Sequence, residues 1–491
     1  MAESNLKQKT LSGFFWRLAE RFGLQAVSFI VNIILARELG EDAMGTAAML
    51  IAFTEILQVF IDSGMGNALI QKKNSDVIDF SSVFYFNIVV CVVLYTGLFF
   101  AAPHLQGKYE GLSAYIRVIG LTLIVSGLKN IQIAYISKTM QFKKFFYSTM
   151  PAVLVSGAVG VAMAYMGYGI WAFVAQRLVN TFLSTLIMWF TVKWKPQWVF
   201  SFKRLKGLFS YGWKLFCSAL IDRLYTECRT IFIGKRYEKA DLGQYDQGQK
   251  IPKIIASNLN ASIDGVLFPA MSQEQDNREK VKSMTRRSIK TSSCVIWPMM
   301  MGLAAVAVPL LTLLLGDEKW NIPSVSFFLR IFCITYAFYP IHTANLNAIK
   351  ALGRSDIFLK LEIAKKVVGL SILAVTFFIN VKAIAIGMLL GNIASGIINA
   401  FPNKKLLGYS YLEQIRDILP SMAVSVFMAV IVYFMQFISL PTIVLLALQV
   451  IVGAVVYFGV SYLFKLEAFM YIFEMVKKFL FKFLKSRKGV N

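Results

Sequence analysis

The chain has 491 residues, 57% hydrophobic and 14% aromatic but only 16% charged, and carries a net charge of +24 from 51 lysines and arginines against 27 acids. Apolar runs of about 18–25 residues recur from end to end, which excludes an ordinary soluble domain pair and predicts an all-α polytopic membrane protein. For a soluble protein such a charge would suggest nucleic acid. Here the basic residues lie between the apolar runs, so the excess needs no nucleic acid partner.

Fourteen transmembrane spans are expected, at about 11–36, 44–66, 80–102, 112–135, 146–165, 168–191, 209–233, 242–268, 289–314, 321–349, 357–379, 382–401, 419–438 and 441–464. The loops after even-numbered spans and the two ends carry several-fold more Lys and Arg than the loops after odd-numbered spans. The loop after span six alone holds Lys193, Lys195, Lys203, Arg204 and Lys206. By the positive-inside rule both termini are cytoplasmic. The start MAESNLKQK is polar and shows no cleavable signal. Cys91, Cys217, Cys228, Cys294 and Cys333 all fall within spans, which predicts buried free thiols. His104 and His342 are the only histidines, too few for a metal centre or a Ser–His triad.

Residues 13–45, GFFWRLAERFGLQAVSFIVNIILARELGEDAMG, align with residues 211–243, YGWKLFCSALIDRLYTECRTIFIGKRYEKADLG. Ile116–Arg117–Val118–Ile119 likewise matches Leu329–Arg330–Ile331–Phe332. Two parallel six-helix lobes follow, 1–200 (spans one to six) and 201–405 (seven to twelve), with two C-terminal helices over 406–464. Each lobe enters from the cytoplasm, and a cavity is expected between them. The segment 465–491 places Ile472, Val476, Phe479 and Phe483 on one helical face beside Lys477, Lys478, Lys482 and Lys485. That pattern fits a basic amphipathic helix on the anionic inner leaflet.

Four spans carry polar stripes. At about 100° per residue, span seven groups Asp222, Arg223, Thr226, Glu227, Arg229 and Thr230 opposite an apolar arc. Span eight lines up Asp246, Lys250, Lys253, Ser257, Asn260 and Asp264, with Pro252 as an expected kink. Span one aligns Arg17, Arg21, Gln25, Ser28 and Asn32, and span two aligns Glu55, Gln58 and Asp62. Arg21 and Asp62 lie at similar depth below the turn near Glu41 and should pair, and Asp222 should meet Lys250 or Lys253. Charges inside a bilayer are costly enough to require partners or water. Any one pair could be a structural tie, Arg17 and Lys214 could snorkel, and Asn258 and Asn392 fit helix–helix glue. The four stripes together predict a water-filled vestibule.

ARELGEDAMG, FIDSGMGNALIQKK, IGKRYEKADLGQYDQGQKIPKI and LFPAMSQEQDN resemble motifs of polysaccharide and lipopolysaccharide biosynthesis flippases. These belong to the multidrug/oligosaccharidyl-lipid/polysaccharide (MOP) exporter superfamily, in the colanic-acid and teichuronic-acid (Wzx-type) branch. The resemblance covers about residues 10–410. It implies a fourteen-helix alternating-access transporter of the bacterial inner membrane, moving an undecaprenyl-pyrophosphate-linked oligosaccharide outward. The lipid II flippase, a relative, has an Arg–Asp pair in its first helix where this chain has Val31–Asn32, so those binding arginines do not carry over.

A pyrophosphate calls for cationic donors, with arginine offering a two-pronged fork. Arg21, Arg223, Arg229, Lys250 and Lys253 are the candidates. Gln25, Asn32, Gln58, Gln249 and Asn260 suit sugar hydroxyls, and Asp62, Asp222 and Asp264 suit ion coupling or ion pairing. Membrane lipids and, more remotely, the polysaccharide polymerase machinery are the other expected partners. No cofactor, metal or bond-breaking site is expected. A multidrug exporter would want an acidic or aromatic cavity. A membrane polysaccharide polymerase or glycosyltransferase would want a large outer loop, and the longest outer connector spans only about ten residues.

Overall fold

The computed structural model describes residues 2–62, 65–72, 74–105, 109 and 111–488, with the side chains of 2–19, 211 and 479–488 outside that description. It is 88% helical, with no strand among the described residues. The helices are α1 (Ala2–Asp62), α2 (Met65–Gln71), α3 (Val77–Leu105), α4 (Leu112–Lys138), α5 (Lys143–Tyr165), α6 (Ile170–Thr191), α7 (Phe202–Arg236), α8 (Lys239–Gln273) and α9 (Arg278–Ala305). There follow α10 (Ala307–Leu315), α11 (Ile322–Ala337), α12 (Tyr339–Ala351), α13 (Ser355–Thr376), α14 (Val381–Leu407), α15 (Tyr411–Phe434), α16 (Thr442–Leu463) and α17 (Glu467–Lys488).

Among the described residues, nine helical stretches are long and apolar enough to cross a membrane, or ten if the bent pair α9–α10 makes one crossing. Bulky apolar side chains on α15 and α16, among them Phe427, Val430, Ile443, Val450 and Ile451, are exposed, as a lipid-facing surface requires. The protein is therefore a multi-pass, all-α membrane protein. Helices and predicted spans do not map one to one. α1 carries the first two spans, and α7, α8 and α13, each holding several charges, fall outside the apolar class. Three of the cysteines are buried free thiols as expected, whereas Cys217 and Cys228 are only half-buried.

Local chemistry sets the breaks. α1 turns at Gly40, whose φ of 80° and ψ of −179° belong to a region open essentially to glycine alone. Two arms result, residues 2–39 and 41–62. Span nine bends by 68° between α9 and α10, where Pro309 cannot donate to the Ala305 carbonyl. Span ten breaks at Phe338, and Pro340 starts α12 as a first-turn proline. Pro252, an expected kink, is passed by α8 without loss of helix.

The chain forms two compact units, Met1–Gly243 and Gln244–Asn491. In the first, the first arm of α1 lies on α5, so close that a Cβ on Gly157 would strike Val31. The second arm runs antiparallel to α7, with Met49 against Gly234, Glu55 at Arg223 and Phe60 edge-on to Phe216 at 5.0 Å. α7, assigned by the sequence repeat to the second lobe, thus packs within the first unit. Near the starts of α3 and α7, Phe80, Phe84, Met188, Trp194, Leu205 and Leu208 form an apolar core. Arg204 pairs with Asp76 there and holds its carboxyl below the usual carboxylate range.

Gly45 and Gly243, matched by the repeat, pack against each other. A Cβ on Gly45 would overlap the carbonyl of Lys239, and one on Gly243 would overlap that of Glu41. The repeat also matches Glu41 with Lys239, so the contact is reciprocal. Arg117 and Arg330, another matched pair, share a task. Arg117 Nε donates to the Phe99 carbonyl at 3.2 Å, whose helical partner would be Pro103, which has no N–H. Arg330 Nε donates to the Ala304 carbonyl at 3.2 Å, at the bend between α9 and α10.

In the second unit α9 packs on α15 and α11, and α13 on α14. A buried amide cluster ties α12, α14 and α15. Asn345 donates to Gln414 at 2.7 Å, and Asn403 donates to Asn345 Oδ1 at 2.6 Å. Such buried amide pairs tie neighbouring helices together, although Asn403 Oδ1 itself is buried without a hydrogen-bond partner. Lys290–Glu467 at 2.6 Å and Arg287 over the Tyr471 ring at 5.1 Å hold the start of α17 to α9. Val476, Lys477 and Lys478 farther along α17 are exposed. Phe479, Lys482, Phe483 and Lys485 lie outside the described side chains.

Candidate functional site

The charged cluster of the first unit is built on four helices. Arg223 of α7 places Nη2 at 3.0 Å from Glu55 Oε2 on the second arm of α1, and Nη1 at 3.3 Å from Glu227 Oε1 one turn along α7. The other Glu55 oxygen faces Arg177 Nη2 of α6 at 4.0 Å. One turn beyond Glu55, Gln58 Nε2 donates to Asp62 Oδ1 at 3.4 Å. Lys129 of α4 and Arg223 lie within electrostatic range of Asp62. Lys129 Nζ donates to Ser184 Oγ on α6 at 3.0 Å, and Asn130 caps the Ile61 carbonyl at 2.8 Å.

The side chains of Arg177, Arg223 and Glu55 are 40%, 37% and 31% exposed. Arg229, one turn beyond Tyr225, lies over its ring at 5.2 Å and reaches its hydroxyl at 3.4 Å. Arg21 is exposed and forms no ion pair among the described residues. The expected Arg21–Asp62 pair is absent from them, and Asp62 is met by Gln58 instead. Gln25 and Asn32 lie half-buried on the first arm of α1, and the Asp222 carbonyl accepts the Thr226 hydroxyl at 2.8 Å.

In the second unit α8 carries the other stripe. Lys250 pairs with Asp246 on the same helix at 3.4 Å, and Gln249 reaches Met388 Sδ on α14 at 3.7 Å. Asp264 Oδ1 accepts from Asn347 Nδ2 at 2.7 Å. Asn260 Oδ1 is buried without a hydrogen-bond partner. Lys253 is exposed and makes no ion pair among the described residues.

Of the residues expected from sequence, the fold brings Arg223, Gln58 and Asp62 into one cluster. Sequence periodicity missed Lys129 and Arg177, because Arg177 is the lone cation of its span and Lys129 shares its span only with the distant Arg117, so neither leaves a stripe. A charge at mid-span was the only signal available. Glu55 and Glu227 sat on predicted stripes; the i,i+4 spacing places Glu227 beside Arg223, but nothing in the sequence paired Glu55 with it.

The fold matches a solved structure of the lipid II flippase MurJ in an inward closed conformation, with a TM-score of 0.75 over 92% of this chain and 98% of that one at 14% identity. It also matches an inward-facing multidrug resistance MATE family transporter of the MOP superfamily, with a TM-score of 0.58 over 82% and 96% at 14% identity. The chain shares the fold of these two proteins. It belongs to the polysaccharide biosynthesis protein family, whose family model matches residues 34–325.

Among individual relatives, it is 24% identical over 307 residues to the succinoglycan biosynthesis transport protein ExoT of Rhizobium meliloti (strain 1021), covering 62% of each chain. It is 22% identical over 437 residues to the lipopolysaccharide biosynthesis protein WzxC of Escherichia coli (strain K12), covering 86% of this chain and 88% of that one. The teichuronic acid biosynthesis protein TuaB of Bacillus subtilis (strain 168) is 25% identical over 309 residues, or 62% of this chain and 63% of TuaB. The matches to ExoT and TuaB thus span under two thirds of those proteins.

Proposed function

We propose that this protein flips a polyprenyl-pyrophosphate-linked oligosaccharide repeat unit from the cytoplasmic to the outer leaflet of the bacterial inner membrane, for polysaccharide export. It does so as a non-enzymatic alternating-access carrier with fourteen crossings and both termini in the cytoplasm. The repeat lobes 1–200 and 201–405, the helices of 406–464 and a lipid-bound tail from 465 are its working parts, and Asp62, Asp222 and Asp264 are its candidates for ion or potential coupling. The observation that carries the reading is the charged cluster around Arg223, set by four helices of a chain whose relatives include ExoT and WzxC. Guanidinium groups recognise phosphate oxygens, while a carrier of cationic drugs would want the acids in excess.

Deletion of the gene should make lipid-linked repeat units accumulate on the inner leaflet while the polymer disappears from the surface. Unchanged surface polymer with no accumulation would reject the reading. The orientation has its own test. In a thiol-free background, single cysteines at Gln197 and Ser272 should resist an impermeant thiol reagent in whole cells, and one at Asp317 should react. Labelling at Gln197 from outside would reverse the topology.

A further inference from the structure

The Glu55 carboxylate lies between two guanidinium groups from different helices, 3.0 Å from Arg223 and 4.0 Å from Arg177. Two arginines converging on one anion form the arrangement that a phosphate group would select. Glu227 stays with Arg223 through the other nitrogen at 3.3 Å, which fixes the guanidinium plane and leaves its Glu55-facing edge as the exchangeable one. About a third of each partner's side chain is exposed. We propose that Arg177 and Arg223 form a pyrophosphate subsite in which Glu55 is the built-in competing anion.

The arriving pyrophosphate takes the place of the Glu55 carboxylate and frees the second arm of α1 from α7 at that point. Arg177 thereby becomes a ligand-contacting residue and Glu55 a specificity-determining one, since a ligand with a single weak charge would not displace it. The proposal rests on the flippase reading for its ligand class, but binding and export separate the two. If deletion of the gene leaves surface polymer unchanged while Glu55→Gln tightens pyrophosphate binding, the flippase reading fails and the anion site stands. If Arg223→Ala abolishes export while Glu55→Gln leaves affinity unchanged, the subsite proposal fails alone.

The test is titration of the full-length protein in detergent with inorganic pyrophosphate and, separately, with geranyl pyrophosphate. Glu55→Gln should bind both about tenfold more tightly, a shift of about 1.4 kcal/mol. The gain should vanish in Glu55→Gln/Arg177→Ala and in Glu55→Gln/Arg223→Ala. Glu55→Asp keeps the charge on a shorter stem and should give a smaller gain, which guards against a fold defect in the glutamine variant. Equal or weaker binding by Glu55→Gln would overturn the proposal. A gain that survives Arg177→Ala would overturn the two-arginine form.

Discussion

Arg223→Ala is expected to reduce polymer export to the level of the deletion strain while protein abundance and membrane insertion stay at wild-type values. Arg223→Lys should restore only part of the activity, because lysine keeps the charge and loses the planar fork. The rival account makes Arg223 a structural tie between α7 and the second arm of α1. A double variant decides between them. If the tie were the whole story, Glu55→Gln/Arg223→Ala would remove both charges together and export would return. The double variant should remain inactive in a complementation assay, and recovered export would make the pair structural.

The second large effect is expected at the reciprocal glycine contact. In Gly45→Val and Gly243→Val the new side chain meets a backbone carbonyl, of Lys239 and of Glu41 respectively, and a carbonyl fixed within a helix cannot swing aside as a flexible side chain does. Overpacking typically costs about 1–3 kcal/mol and occasionally more, and a backbone obstacle places these variants at the upper end. Each should lower the midpoint of thermal unfolding in detergent by several degrees and reduce export. Gly97→Ala is the control. Its Cβ would meet nothing within 4 Å, and alanine is better than glycine in a helix by about 1 kcal/mol, so its midpoint should hold or rise. Loss of stability in Gly97→Ala, with none in Gly45→Val, would reject the close approach.

Much of the architecture was legible because it follows local chemistry. The turn near Glu41 was set by a glycine that can take φ of 80°, and the stripes of α7 and α8 by residues three and four apart on one helix face. What was hidden depends on register between distant helices. Sequence reasoning sought a partner for Arg223's neighbour Asp222 on α8. The acid that meets Arg223 is Glu55, brought level with it by the depth at which the second arm of α1 runs along α7. Lys129 and Arg177 were hidden for a related reason, since isolated cations in apolar spans form no stripe and acquire meaning only when Asp62 and Glu55 arrive beside them. The bends at Val306 and Phe338 were passed over because hydropathy stays high across both, although Pro309 and Pro340 mark them.

The most direct measurement uses the purified protein reconstituted into liposomes with a polyprenyl-pyrophosphate-linked oligosaccharide in both leaflets, and follows how much of it an impermeant glycan-modifying enzyme added outside can reach. With the wild-type protein the accessible fraction should rise from about half towards completion as inner-leaflet lipid is carried across, and with Arg223→Ala it should stay at about half. Full access with Arg223→Ala, or no gain over protein-free liposomes with the wild type, would contradict the account.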